Sequence, residues 1–127
     1  MSGIAAQLEE VRDRMDESCR LAGRDVSEVK LVAVSKTFPV EDVLEAIEAG
    51  QTCFGESRLQ EAEPKIAGLP DGLEWHFIGG VQRNKVRKIL PLFGSIHAID
   101  SLKLATYTSQ VAGELGLSPE VFLQNNC

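Results

Sequence analysis

Lys36 closes the run Val29-Lys30-Leu31-Val32-Ala33-Val34-Ser35, so its amine follows a stretch of apolar chain. An apolar wall that desolvates the ammonium lowers its pKa and frees a lone pair for Schiff-base chemistry with a carbonyl compound. The same position suits a lysine that lays its methylenes on apolar surface and keeps its charge in water. Three further clusters carry reactive types: Phe54-Gly55-Glu56-Ser57, Ile78-Gly79-Gly80 and Ile99-Asp100-Ser101. Gly79-Gly80 ahead of a helix lets backbone approach a phosphate, or makes a plain turn. Glu56 and Asp100 suit orienting a partner or a ring nitrogen, and suit equally the capping of the next helix. His76 alternates with Trp75 and Phe77, so it faces the other side of its strand, as a satisfied layer histidine or as a base. Arg83, Lys85, Arg87 and Lys88 splay over more than one helical face, which favours a solvated surface over an anion site.

Such groups need elements to hold them, and hydrophobic periodicity supplies these. Ile4, Leu8, Val11, Met15 and Cys19 recur at helical steps, predicting an amphipathic helix over about 3–22 that Gly23 stops. Val29–Ser35 reads as a strand buried on both faces, because it is apolar without alternation. A helix from the first turn at Pro39 to before Gly50 follows, then a strand over 51–55, a helix over 58–67 and a strand over 73–78. A basic helix over 82–92, a strand over 95–99, a helix from the Ser101 cap to Gly116 and a fifth strand over 120–124 complete the order. Strands alternating with helices predict βαβ units and a parallel sheet, either doubly wound or part of a (β/α)₈ barrel. No P-loop, GxGxxG or HExxH motif is present.

The chain has 127 residues, with 13 Lys plus Arg against 19 Asp plus Glu and a net charge of −6. That acidity argues against nucleic acid or an anionic membrane as the main partner. The apolar runs fall far short of the ~20 residues that cross a bilayer. The N-terminus is charged early and lacks the apolar centre of a signal peptide, so a cytoplasmic location is expected. Cys19, Cys53 and Cys127 are widely spaced, with no CxxC and no histidine at ligand spacing, so scattered thiols are expected rather than a metal site or disulfides.

Several of these stretches lie in one register. Leu31-Val32-Ala33-Val34-Ser35-Lys36-Thr37 is followed by Phe54-Gly55-Glu56-Ser57 with Gln60-Glu61. Then come Glu74-Trp75-His76-Phe77-Ile78-Gly79 with Gln82 and Asn84-Lys85-Val86, and Ile96-His97-Ala98-Ile99-Asp100-Ser101-Leu102-Lys103-Leu104-Ala105. Their order and spacing resemble the pyridoxal-phosphate homeostasis protein family (YggS/PROSC-like) over essentially residues 4–124. The resemblance implies an alanine-racemase-like (β/α)₈ TIM barrel of fold type III without a second domain. It implies pyridoxal 5'-phosphate (PLP) as a Schiff base on Lys36, with Val34, Ser57, His76 and Gly79 around it. It also implies a cofactor carrier for intracellular PLP homeostasis, with no catalytic residues.

The context AVSKTFPVEDV separates Lys36 from the AVVKADAYGHG-like context of alanine racemases and related decarboxylases. Ser57 stands where the family usually has Asn, which shortens or removes a hydrogen bond near the cofactor. The Phe122–Cys127 segment starts like the family's fifth strand and then diverges. A barrel takes ~250 residues, so 127 residues are expected to be its N-terminal part, an N-terminal helix plus about five strands and four helices, without the phosphate-cradling segments. Two further expectations stand beside this one. The chain is a non-binding scaffold whose unpaired strand edges drive self-association, or it is a fragment of an amino-acid racemase or decarboxylase.

Overall fold

The computed structural model describes residues 3–124; Cys127, one of the three expected scattered thiols, lies outside the described residues. The elements in chain order are α1 (Gly3–Ala22), β1 (Ala33–Val34), α2 (Val40–Glu48), β2 (Cys53–Glu56), α3 (Leu59–Ala67), β3 (Glu74–Phe77), α4 (Val86–Ile89), β4 (Ser95–Ile99), α5 (Leu102–Leu115) and β5 (Glu120–Leu123). Short 3₁₀ turns over Val26–Glu28 and Arg83–Lys85 precede β1 and α4. Gly23 and Gly116 end their helices with φ of 68° and 69°, where a β-carbon is disfavoured. The Ser101 hydroxyl accepts from the Leu104 amide and starts α5. No helix among the described residues is long and apolar enough to cross a membrane.

All five strands are parallel and lie in the order β1-β2-β3-β4-β5. The order never reverses, so the sheet has none of the switch points at which doubly wound folds open a binding crevice. The loops that leave the five strands share one edge of the sheet. Phe54, Trp75, Phe77 and Ile96 turn one face toward the helices and bury against Val43, Ala46, Leu59, Ala62, Val86, Ile89, Leu104 and Val111. Tilted and edge-to-face rings, Phe54 on Trp75 and Phe77 on Phe93, fill the centre of that layer. Glu74, His76, His97 and Phe122 form the opposite face.

Two elements depart from expectation. The strand expected over Val29–Ser35 forms only at Ala33–Val34, and it is not buried on both faces, since Val34 is 47% exposed. β1 is an edge strand, and the Gln51 side chain donates to the Leu31 carbonyl at 2.7 Å, taking an acceptor that a longer ladder would use. The basic helix expected over 82–92 shrinks to the four residues of α4 after a 3₁₀ turn. Pro91 has no N–H to continue the ladder, and Leu92 and Phe93 fold back onto the Ile89 carbonyl. Pro39, expected in the first turn of α2, caps it instead.

Candidate functional site at the sheet edge

The register aligns Val34 with Gly55 and Gly55 with His76, so two expected site residues share one row on either side of a glycine. A β-carbon on Gly55 would meet Val32 Cγ1 at 3.1 Å and Ile78 Cδ1 at 3.3 Å, so the row is closely packed. One step along, Gly79 touches the Ser57 backbone. A β-carbon there would lie 2.3 Å from the Ser57 carbonyl oxygen and 2.9 Å from its Cα. Gly79 therefore joins the loop after β2 to the end of β3, a steric role beyond the ligand approach expected for it. The basic cluster is a solvated face. Arg83 stacks over the Tyr107 ring at 4.4 Å, and Arg87 pairs with Glu114 at 2.5 Å with both side chains about half exposed.

Lys36 sits just beyond β1 and is exposed, so burial does not provide the desolvation expected for it. Its neighbours are held firmly. The Ser35 amide donates to the Gly55 carbonyl at 3.0 Å, and the Ser35 hydroxyl donates to Glu56 Oε2 at 2.5 Å. Lys65 Nζ reaches from α3 to the Ser35 carbonyl at 2.8 Å and to Glu56 Oε2 at 2.9 Å. On the other side the Thr37 amide donates to Glu61 Oε1 at 2.5 Å, with Thr37 at φ 68°. Glu56 is fully buried and orients Lys65 rather than capping α3, whose N-cap Arg58 makes no side-chain cap bond. Ser101, not Asp100, caps α5.

On the opposite face a polar chain crosses three strands. Lys30 Nζ, His76 Nε2 and Cys53 Sγ converge on Glu74 Oε2 at 2.7, 2.6 and 3.5 Å, and His76 Nδ1 meets His97 Nε2 at 2.8 Å. Both nitrogens of His76 are thus engaged within the sheet. Hydrogen bonds from Lys30 first and His76 second pull the Glu74 carboxyl down to about 2. Burial, then the Glu74 charge, pushes the Cys53 thiol up to about 12, so it stays protonated at neutral pH. Burial and the facing His76 lower His97. Cys53, Glu74 and His76 offer three donor atoms within 4.8 Å of one another, but the Lys30 ammonium already occupies the shared carboxylate.

No ligand-type spacing in the sequence announced this cluster, because adjacency of Cys53 and Glu74 arises from strand register. The burial of Lys65 is likewise not encoded by any motif. The residue lies in the apolar stripe of α3 beside Leu59 and Ala62, and a charge in such a stripe was the available signal.

The geometry defines a parallel α/β protein that presents a lysine amine on a braced turn at the C-terminal edge of its sheet. The chain is similar to curated proteins named pyridoxal phosphate homeostasis protein. It is 47% identical to the one from Pseudomonas aeruginosa over 128 aligned positions, covering 99% of this chain and 55% of the relative. It is 44% identical to the one from Escherichia coli K12 over 110 residues, covering 84% of this chain and 47% of the relative. Among solved structures it is similar to PipY of Synechococcus elongatus PCC7942 with PLP bound, with a TM-score of 0.74 and 43% identity over 88% of this chain and 54% of that one. The chain spans about half the length of the curated relatives it matches. No family model matches it.

Two outcomes test this description. Gly79→Ala drives a methyl group into the Ser57 backbone and should cost ~1–3 kcal/mol, measured by denaturant unfolding. Between its ordinary 4.5 and about 2, Glu74 binds more protons unfolded than folded, so its contribution is present above 4.5 and lost as pH falls. Lowering of His97 from its ordinary 6.5 acts in the same direction at higher pH. Glu74 is 41% exposed, so after solvent screening its share is about 1 kcal/mol or less. Glu74→Gln should flatten the fall in stability between pH 4.5 and 2; an unchanged slope refutes the assignment.

Proposed function

We propose that this chain is the N-terminal part of a PLP-binding barrel, that Lys36 is the lysine that takes the cofactor, and that the protein buffers and carries PLP rather than turning over a substrate. The observation that carries the reading is the Lys36 amine itself. It stands exposed at the C-terminal edge of the parallel sheet, in a chain 43% identical to a protein solved with PLP bound. In this reading the strands, wound in chain order without reversal, are the first five of an alanine-racemase-like (β/α)₈ barrel. Residues 1–127 are then one part of a single domain, and the protein is cytoplasmic.

The residues suit the group. When bound, PLP supplies an aldehyde carbon open to attack by a neutral primary amine, and among the described residues no carboxylate pairs with Lys36. The exposed Val34 offers an apolar surface beside it, Gly55 is the closely packed middle of the same row, and His76 forms its far end. Ser57 and Gly79 close the edge of the site. In relatives about twice as long, further chain is available to grip the phosphate, which normally supplies much of such a ligand's affinity.

Incubation of the chain with PLP, borohydride reduction and peptide mapping should give a weak adduct concentrated on Lys36, absent in Lys36→Ala. Labelling spread evenly over the surface lysines overturns the reading.

A second reading, self-association, is favoured by β5. All four of its residues are exposed, Phe122 to 47% and Leu123 to 74%, on a strand with one edge unpaired among the described residues. Sedimentation should then show concentration-dependent dimers that Leu123→Lys weakens, and a monomer at every concentration rejects it.

A further inference from the structure

We propose that Glu61 and Lys65, with Glu56 behind them, are positioning residues that clamp the two peptide groups flanking Lys36 and so fix where its amine is presented. The proposal rests on the reading of Lys36 as the cofactor lysine. Because Lys36 is exposed, packing does not orient its side chain, and the direction of its Cα–Cβ bond is left to the backbone. The peptide before it is held at the Ser35 carbonyl, which accepts from Lys65 Nζ at 2.8 Å and from the Phe38 amide at 3.1 Å. The peptide after it is held at the Thr37 amide, which donates to Glu61 Oε1 at 2.5 Å. Glu61 and Lys65 are one turn apart on α3, so one rigid helix face grips both sides of one residue.

Stability alone is a poor account of this arrangement. Lys65 is 6% exposed and Glu56 fully buried, and replacing a buried ion pair by apolar groups of similar volume is often neutral or stabilising. Glu56 Oε1 has no hydrogen-bond partner among the described residues, a further cost. Thr37 is β-branched and held at φ 68°, a conformation that persists only where surrounding bonds impose it. What these costs secure is geometric: a turn of one shape, with Lys36 at its apex.

The test uses the 127-residue chain and two readouts. The first is amide hydrogen exchange at Thr37 without ligand. The second is borohydride-trapped PLP labelling of Lys36 relative to Lys30 and Lys103. Glu61→Ala, at a partly exposed position, should speed Thr37 exchange and lower Lys36 labelling by about tenfold or more. Glu61→Gln keeps an acceptor for the Thr37 amide and should restore both. Glu56→Gln with Lys65→Met removes both buried charges together and should lower Lys36 selectivity in the same way; should that variant not fold, the Glu61 pair decides the question. A folded Glu61→Ala chain with unchanged Thr37 exchange and unchanged Lys36 labelling overturns the proposal. Absence of Lys36 labelling in the unsubstituted chain refutes the cofactor reading instead, and Thr37 exchange then still decides whether the clamp exists.

Discussion

Five parallel strands wound in chain order impose a strict division of labour on this molecule. Every strand must end at the same edge, and every return must cross one face as a helix or turn. The apolar residues of alternate strand positions then have one destination, the helix-covered layer around Phe54, Trp75, Phe77 and Ile96. Polar residues of the intervening positions collect on the other face, and the loops that can hold reactive groups collect at one rim. The Val34–Gly55–His76 row, the Ser57–Gly79 contact and the Lys36 turn are products of that single constraint.

Much of this was legible because the signals are local. The period of α1, the Ser101 cap and the left-handed Gly116 of α5, and the β-branched stretch of β4 each act within a few residues of themselves. The face opposite to Trp75 and Phe77 was readable for His76 by alternation alone, and the structure seats it there. What escaped depends on partners far along the chain. The length of β1 is decided by a glutamine 20 residues away that takes its carbonyl, and the burial of Lys65 by a serine 30 residues earlier. The convergence of Lys30, Cys53 and His76 on one oxygen of Glu74 requires strand register, which no spacing rule encodes. The resemblance in several motifs named the kind of chain but left Lys36's exposure and its clamp unread.

The two polar networks differ in what they can contribute. The one on the open face joins Glu74, His76 and His97 with Lys30 near solvent, where screening limits the energy and pH changes the charges. The one under the Lys36 turn is sealed between sheet and α3, where charges are costly to bury and costly to unpair. On the open face the Lys30 and His76 hydrogen bonds keep Glu74 ionised well below the usual carboxylate range.

Gln51 has a consequence for the order in which the molecule comes apart. Its amide nitrogen donates to the carbonyls of Leu31 and Cys53, and its oxygen accepts from Arg12, whose guanidinium also reaches the Ala49 carbonyl. One side chain thus ties α1, the approach to β1 and the start of β2 into a single knot. α1 buries only Cys19 fully, so its hold on the rest of the chain depends heavily on that knot and on the partly buried Ile4 and Leu8. Loss of that knot would loosen the helix and the edge strand together, while β2–β4 keep their own buried layer.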